Sequence, residues 1–355
     1  MQPADPPPRQ LTWGSLPPSA QALELPKKTP HLAVVLPCFN EELSIASTII
    51  EFQKALPFAV IYVIDNASTD NTRQIASLAG ANVRYEGRQG KGNAVRRAFS
   101  DIDADIYVLA DGDGTYHAAD SRKMVELLID QELDMVTGDR VHTDPQAYRP
   151  GHVLGNRIFS RFVAHLFGTG IDDLFSGYRV FSRRFVKSFP SLAEGFEIES
   201  EMSIHALQLR MPLANLKTRY SKRNNGSVSK LNTFRDGLKI LGYIIKLKRL
   251  YQPRQFFGFG GVLCVAMAIA LGIPILVTFL EIGQVPRFPT AILASGLFLL
   301  GALIWFSGVV LESSSQLSLE MKLLQYLRMP TPRFTKWAAP HGMNEFHDDS
   351  TPPSE

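Results

Sequence analysis

The sequence has few cysteines and, over one long stretch, almost no charge. Its 355 residues include two cysteines, Cys38 and Cys264, which excludes a disulfide framework and a zinc site with four cysteine ligands. Residues 258–312 contain three charged side chains, whereas the rest of the chain has the charge content of an ordinary soluble protein. The composition is therefore an average of two kinds of chain, and neither a purely soluble nor a purely membrane-embedded protein is expected.

Both ends of the chain lack hydrophobic periodicity. Residues 1–30 include eight prolines and too little apolar surface to offset the entropy of ordering, so they are predicted to be disordered. They also lack the basic and then apolar layout of a signal peptide. Residues 313–355 are predicted to form a cytoplasmic tail that is largely disordered after residue 330.

Two uncharged segments near the carboxyl end, 258–280 and 288–311, are each long enough to cross a bilayer as a helix. They predict a transmembrane hairpin within residues 257–312. The alternative is a pair of buried core helices. Lys and Arg residues flank the outer ends of the hairpin, so the positive-inside rule predicts a two-span protein of the cytoplasmic membrane with its globular domain and both termini in the cytoplasm.

A strongly basic stretch precedes the hairpin. Residues 217–256 contain eleven Lys or Arg residues and one acid, Asp236. Beside an apolar block, such a stretch indicates an anionic membrane surface, and residues 233–256 are predicted to form a basic amphipathic helix in the interface. Nucleic acid is the competing partner, but zinc-finger, helix-turn-helix and RNA-binding signatures are absent, so none is expected.

Residues 31–138 alternate between short apolar runs and helical patterns. Strands are predicted at 31–36, 59–64, 82–85, 106–110 and 134–138, with helices between them. This rhythm predicts an α/β fold with a mostly parallel sheet and helices on both faces. Ligands collect at the carboxyl ends of such strands, where the sequence has Asn40, Asp65 and the pair Asp111 and Asp113.

Several of these residues have oxygen or charge chemistry suited to a nucleotide and a metal. Asp111 and Asp113, one residue apart, can face Mg²⁺ or Mn²⁺ together, although a plain acidic turn is the alternative. Asp65 can accept hydrogen bonds from a base or a ribose, or it can cap a turn. Lys91, between Gly90 and Gly92, can supply charge for a phosphate, and the glycines can let the backbone approach a ligand.

Taken in order, four motifs resemble those of a family 2 glycosyltransferase with the GT-A fold. They are Leu36–Glu42 (LPCFNEE), Asp65–Asp70 (DNASTD), Gly90–Ala94 (GKGNA) and Asp111–Asp113 (DGD). Gly155–Arg157 and Asp172–Arg179 (DDLFSGYR) resemble the branch that contains dolichyl-phosphate mannose synthases and bacterial polyprenyl-phosphate glycosyltransferases. The resemblance implies a GT-A domain over residues 31–232.

The resemblance also implies roles for individual residues. The nucleotide pocket would comprise Pro37, Asn40, Glu41, Asp65, Lys91 and Asp111. Asp111 and Asp113 would hold Mg²⁺ or Mn²⁺. The acceptor phosphate would meet Arg140, Arg157, Ser176, Arg179 and Arg223. Asp111, Asp113, Asp139, Arg140 and Arg157 would form the catalytic set, with Asp139 either orienting an arginine or acting as a base. Glu197 and Glu199 read first as exposed charges or charges at a helix start, and otherwise as contacts to the donor sugar or acceptor.

The implied reaction is an inverting, metal-dependent transfer of a hexose from a GDP- or UDP-linked sugar to a dolichyl- or undecaprenyl-type phosphate. A family 2 glycosyltransferase acting on a glycolipid, a polysaccharide or another non-polyprenyl acceptor is the main alternative. A processive polysaccharide synthase would need more spans. A sugar-phosphate nucleotidyltransferase would need a glycine-rich opening loop in place of residues 36–42. A membrane scaffold without activity would not need Asp111 and Asp113.

Overall fold

A computed structural model of the chain describes residues 29–142, 163, 170–195, 197–221, 242, 245–330 and 334. The strands are β1 (Leu32–Cys38), β2 (Val60–Asp65), β3 (Asn82–Tyr85), β4 (Ile106–Leu109), β5 (Met135–His142), β6 (Arg179–Ser182) and β7 (Leu213–Tyr220). The helices are α1 (Ile45–Ala55), α2 (Thr72–Leu78), α3 (Lys91–Asp101), α4 (Ala118–Asp130), α5 (Arg183–Ser188), α6 (Ile198–Gln208), α7 (Pro253–Ile282) and α8 (Phe288–Leu327).

The seven strands form one sheet in the order β3-β2-β1-β4-β6-β5-β7. The pairs β1–β2, β2–β3, β1–β4 and β5–β7 are parallel, and β6 runs antiparallel to both of its neighbours. The predicted mostly parallel α/β sheet is confirmed. Because β6 and β7 come after a long stretch without strand periodicity, the sequence predicted neither of them.

The sheet has a hydrophobic core on each face. Along β1, Leu32, Val34 and Leu36 face one core, while Ala33 and Val35 face the other. This period of two follows from the pleat of a strand, and burial on both faces explains the unbroken apolar run. Helices α1 and α4 cover the first face, and α3, α5 and α6 cover the second.

Helices α7 and α8 are each long and apolar enough to cross a membrane. Only 6% and 17% of their most apolar stretches are buried within the structure, which argues against the alternative of two core helices. Their contact is built on small residues, since a Cβ on Gly261 would come within 2.8 Å of the Gly301 carbonyl oxygen. Such close approach of backbones is typical of helix pairs in lipid.

Helix α8 differs from the sequence prediction at its carboxyl end. It continues to Leu327, whereas a tail was expected from residue 313. Residues 313–327 contain no Gly or Pro and end in good helix formers, and Pro330 lies three residues beyond the end of the helix. Of the predicted interfacial helix 233–256, the described part is helical at 245–251, where Leu247 is buried against Leu174 and Ile204. Residues 1–28 and the tail after 334 lie outside the described part of the chain.

Candidate active site

Three parallel strands end together at the edge where the sequence predicted the site. In β1 and β2, Pro37 lies opposite Ile64, and Cys38 lies opposite Asp65. The neighbouring strand β4 ends at Leu109, two residues before Asp111. Parallel pairing therefore brings the ends of β1, β2 and β4, which are far apart in sequence, to one edge of the sheet.

The loops after β1 and β2 hold each other in place. Asn40 has a left-handed backbone (φ 56°), and its Oδ1 accepts a hydrogen bond from the Thr69 amide at 2.8 Å. The Glu41 amide donates to Thr72 Oγ1 at 2.8 Å. Asp65 is buried, and its Oδ1 accepts from the Ser68 amide at 3.3 Å, which is the turn-capping arrangement. One Asp65 oxygen therefore braces the loop, and its role at a nucleotide stays a prediction.

Lys91 is the electrostatic centre of this edge. Its ammonium group pairs with Asp111 and, at 2.6 Å, with Glu199 on α6. The side chains of Lys91, Asp111 and Glu199 are 9%, 28% and 5% exposed. Burial alone would lower the pKa of Lys91, but the two carboxylates raise it well above its usual value. Lys91 is thus a permanent cation between two carboxylates.

The structure differs most from the sequence prediction at Glu199. It lies in the first turn of α6, as one reading expected, but it is buried rather than exposed. Its Oε2 is buried and has no hydrogen-bond partner within the described residues. Glu197 precedes the helix and is exposed. Glu199 differs from Glu197 in lying next to Lys91, and this proximity cannot be read from the sequence.

Gly177 packs against the Lys91–Asp111 pair. A Cβ at this position would lie 2.8 Å from Lys91 Nζ and 3.1 Å from Asp111 Oδ2. The Gly177 amide also donates to the hydroxyl of Tyr116 at 3.0 Å. Neither residue was singled out from the sequence, although Gly177 lies inside the DDLFSGYR motif.

The glycines beside Lys91 approach the chain's own backbone, which differs from the expected approach to a ligand. A Cβ on Gly90 would come within 2.2 Å of the Glu194 carbonyl oxygen, and one on Gly92 within 2.1 Å of the Ala193 carbonyl oxygen. Asn66 fixes the same loop, since its Oδ1 accepts from the Gly90 amide at 2.7 Å. The glycines therefore let the segment before α6 lie directly on the start of α3, which brings Glu199 to Lys91.

Asp111 and Asp113 differ in exposure and partners. Asp113 is buried, and its Oδ1 accepts from the Thr115 amide at 3.1 Å and from Thr115 Oγ1 at 2.7 Å. Burial raises the pKa of the Cys38 thiol, and the carboxylates of Glu41, Asp111, Asp65 and Asp113 raise it further. This edge of the sheet therefore carries concentrated negative charge, which suits a divalent cation. The described residues hold no group of three or more His, Cys, Asp or Glu side chains that could bind a metal by themselves.

Arg140 and Asp139 lie near the end of β5. Arg140 forms a two-pronged ion pair with Asp173, with Nε–Oδ2 at 2.7 Å and Nη2–Oδ1 at 2.9 Å, and its guanidinium lies 5.7 Å from the Tyr220 ring centroid. Burial would lower the pKa of Arg140, but Asp173 raises it above its usual value. Burial and the nearby carboxylates of Asp172 and Asp173 raise the pKa of Asp139 to about 6.

Two other residues proposed for the acceptor phosphate are fully buried. Ser176 Oγ donates to the Gly138 carbonyl at 2.5 Å. Arg179 donates to the carbonyls of Ser176 and Leu174, both at 2.9 Å, and burial lowers its pKa to about 10. Both side chains hold the 174–176 loop in this arrangement, so direct contact with a phosphate stays a prediction for them.

Arg157 and Arg223 lie outside the described residues. Among the residues that are described, the structure brings Pro37, Asn40, Asp65, Lys91 and Asp111 to one edge. The pair of Asp139 and Arg140 lies on β5, two strands away from β4.

The chain is similar to known glycosyltransferases along much of its length. The family model for glycosyl transferase family 2 matches residues 33–189. Glycosyltransferase AglJ of Haloferax volcanii is 36% identical over 248 residues, covering 69% of this chain and 81% of that protein. A dolichyl-phosphate hexose transferase of the same organism is 28% identical over 216 residues, covering 61% of this chain and 93% of that protein.

Solved structures show the same fold at low sequence identity. Glucosyl-3-phosphoglycerate synthase from Mycobacterium tuberculosis, crystallised with Mn²⁺ and UDP-glucose, superimposes with a TM-score of 0.50 and is 23% identical. That comparison covers 62% of this chain and 78% of the synthase. With the family match and the relatives, the sheet and its site residues lead to one conclusion: the chain belongs to glycosyl transferase family 2, and it is a glycosyltransferase of GT-A fold.

Proposed function

We propose that this glycosyltransferase transfers a hexose from a nucleotide diphosphate sugar to a polyprenyl phosphate in the membrane, with inversion at the anomeric carbon. The observation that carries the proposal is that α7 and α8 expose apolar surface suited to lipid while α8 also packs against the catalytic domain. A polyprenyl phosphate has its tail in the bilayer and its phosphate at the interface. The relative named dolichyl-phosphate hexose transferase supports this class of acceptor.

On the donor side, Pro37, Asn40, Glu41 and Asp65 would line the nucleotide pocket. Lys91 supplies a fixed positive charge beside it, which suits the diphosphate. If Lys91 turns toward the diphosphate, Glu199 becomes free to accept hydrogen bonds from hydroxyl groups of the donor sugar. The buried Oε2 of Glu199, which has no partner in the described part of the chain, supports this role.

Asp111 and Asp113 would hold a divalent cation, Mg²⁺ or Mn²⁺. The donor set fits, since Mg²⁺ is commonly bound by one or two carboxylates together with substrate phosphates. The negative charge that acts on Cys38 also fits. When bound, the cation would neutralise the charge that grows on the leaving nucleoside diphosphate.

On the acceptor side, the phosphate is already ionised at neutral pH, so it needs positioning more than it needs a strong base. Arginines grip phosphate with two parallel hydrogen bonds, and Arg140 would do so together with Arg157. Asp173 holds the Arg140 guanidinium in a fixed orientation before the acceptor arrives. Asp139 would either orient an arginine or act as a weak base.

The division of the chain follows from the same proposal. Residues 31–232 would form the catalytic domain, 233–256 the interfacial segment and 257–312 the membrane hairpin. Basic residues at the outer ends of the hairpin favour a cytoplasmic position for the domain and both termini. A water-soluble nucleotide sugar would then reach the site from the cytoplasm.

A transfer assay tests the proposal. Membranes containing the full chain are mixed with polyprenyl phosphate and a panel of radiolabelled GDP- and UDP-sugars, with and without EDTA. We expect one donor to give a chloroform-extractable sugar that EDTA and Asp113→Asn abolish. If no donor gives such a product, the polyprenyl acceptor is wrong; label in a polymer or in another lipid would identify the alternative acceptor.

Arg140→Lys tests the acceptor side separately. It keeps the charge but loses the planar fork, so we expect the KM for polyprenyl phosphate to rise about ten-fold or more while the KM for the donor changes little. Arg122→Lys is the matched control, because Arg122 forms an ordinary pair with Glu126 on the surface of α4. Equal changes in both KM values would contradict the phosphate role of Arg140.

A further inference from the structure

The last turns of α8 contact the rest of the protein at three positions along the helix. Ser315 Oγ donates to the Leu250 carbonyl at 3.3 Å. Two helical turns further along α8, the Lys322 ammonium lies 6.0 Å from the Tyr251 ring centroid. The Tyr326 hydroxyl donates to Asp134 Oδ2 at 2.8 Å. Residues 313–327 are therefore a docked helix and not a free extension of the membrane hairpin.

Tyr326 joins a buried ionic cluster in the catalytic domain. The fully buried Asp134 pairs with Arg184 and accepts from Ser182 Oγ at 2.6 Å. The Arg184 guanidinium lies 4.8 Å from the Tyr326 ring centroid. Tyr326 therefore contacts both partners of the ion pair, with its hydroxyl on the carboxylate and its ring on the guanidinium.

This cluster lies at the start of the strand that carries the acceptor-side residues. Asp134 immediately precedes β5, and its amide donates to the Pro212 carbonyl at 2.8 Å. Arg140 lies six residues further along the same strand, a distance of about 20 Å at the rise of an extended chain. β5 pairs with β6 over Met135–Thr137 and with β7 along its full length, so one continuous hydrogen-bonded strand joins the Asp134 end to Arg140.

The residues through which α8 packs on its neighbours recur along one face over most of its length. Its most buried residues, Ala294, Gly301 and Gly308, are spaced by seven, and the same spacing continues to Ser315 and Lys322. One face thus packs first on α7 and then on the 245–251 helix. Forty residues of helix span about 60 Å, which is about twice the hydrocarbon thickness.

We propose that α8 is a rigid strut that sets the height of the acceptor site above the bilayer, and that Tyr326 is the positioning residue that couples this strut to β5. The inference rests on the proposed lipid acceptor. It predicts a defect that depends on where the acceptor phosphate lies, because only a membrane-held phosphate has a fixed height.

The test compares two acceptors in the same vesicles of anionic phospholipid: a long-chain polyprenyl phosphate and a water-soluble ten-carbon analogue. Tyr326→Phe removes the hydroxyl and keeps the ring over Arg184. A hydrogen bond to a charged group shifts an equilibrium by about ten-fold. We expect the KM for the long-chain acceptor to rise by about that factor, with changes below about two-fold for the soluble acceptor and the donor.

Two controls separate positioning from folding. Gln325→Ala changes an exposed neighbour on α8 and should leave all three KM values unchanged. Replacing the exposed Ser313 and Ser314 by glycine softens the strut without touching the domain and should reproduce the selective defect, whereas alanine at both positions should not. Equal losses with both acceptors, or no loss with either, would overturn the inference.

If the wild-type protein uses neither acceptor, the proposed function fails and the strut is tested by energy transfer. A dye on Lys123→Cys, in a Cys264→Ala background, reports the distance from the exposed surface of α4 to labelled lipid headgroups. The strut requires a broader distance distribution in the double-glycine variant and in Tyr326→Phe. An unchanged distribution would refute it independently of any activity.

Discussion

Replacing Lys91 by methionine should destabilise the domain mainly through the carboxylate that it leaves behind. Glu199 is 5% exposed, pairs with Lys91 at 2.6 Å, and has one oxygen without a partner among the described residues. Without Lys91 its buried charge loses its ion-pair partner, which typically costs about 3–5 kcal/mol. Methionine matches the length of the aliphatic stem, so the change in packing is small.

The cost of Lys91→Met should therefore be about 3–5 kcal/mol. Asp111 adds less, because its side chain is 28% exposed.

A second substitution should rescue the first. Adding Glu199→Gln removes the stranded charge, so the double variant should be more stable at pH 7 than Lys91→Met by roughly 2–3 kcal/mol. Pulse proteolysis of the full chain over a urea series at pH 7 measures these free energies of unfolding. Arg97→Met is the control, since the exposed pair of Arg97 with Asp101 should contribute below about 1 kcal/mol.

The result that would refute this reasoning is specific. If Glu199→Gln adds its own loss to that of Lys91→Met, the buried charge is not the cause. The loss would then come from packing around Lys91.

Three further predictions concern other parts of the structure. Gly92→Ala should lower thermal stability and raise the donor KM, because the new Cβ would lie 2.1 Å from a backbone carbonyl oxygen, whereas Gly87→Ala meets ordinary contacts from 3.4 Å and should be neutral in both assays. Asp139 has a folded pKa of about 6, above its unfolded value, so the folded state loses stability as pH rises from about 4 to 6; Asp139→Asn should lack this loss in unfolding measured across that range. Gly301→Ile should separate α7 from α8 and lower the melting temperature in nanodiscs, while Gly296→Ile, with open space around it, should not.

The strand ends were predictable because they depend on local pattern. Short apolar runs fix where β1, β2 and β4 end, and parallel pairing then brings Asp65 and Asp111 to one edge without further information. The extension of α8 was also predictable in principle, since residues 313–327 contain no helix breaker before Pro330. The uncharged block ended earlier, and the sequence prediction took that change in polarity for the end of the helix.

The long-range contacts of the site were not predictable in the same way. Glu199 reaches Lys91 across more than a hundred residues, through a glycine contact that has no periodic signal. The family resemblance implied that Arg179 binds the acceptor phosphate, but the structure buries this arginine fully, which is rare for the residue type. Its guanidinium donates to two backbone carbonyls in the segment just before the antiparallel strand β6 and to the Met135 sulfur.

That insertion has a consequence for how the two substrates meet. The segment just before β6 contacts both the edge that would hold the donor and the strand that would meet the acceptor. Asp173 holds Arg140, and Ser176 holds the strand beside it through the Gly138 carbonyl. One residue later, Gly177 lies against the Lys91–Asp111 pair. A shift of Lys91 toward a bound diphosphate would therefore act on the segment that orients Arg140, the proposed acceptor arginine. Under the proposed roles, donor binding and acceptor positioning would be linked through residues 173–177, and a side chain at position 177 would disturb both at once.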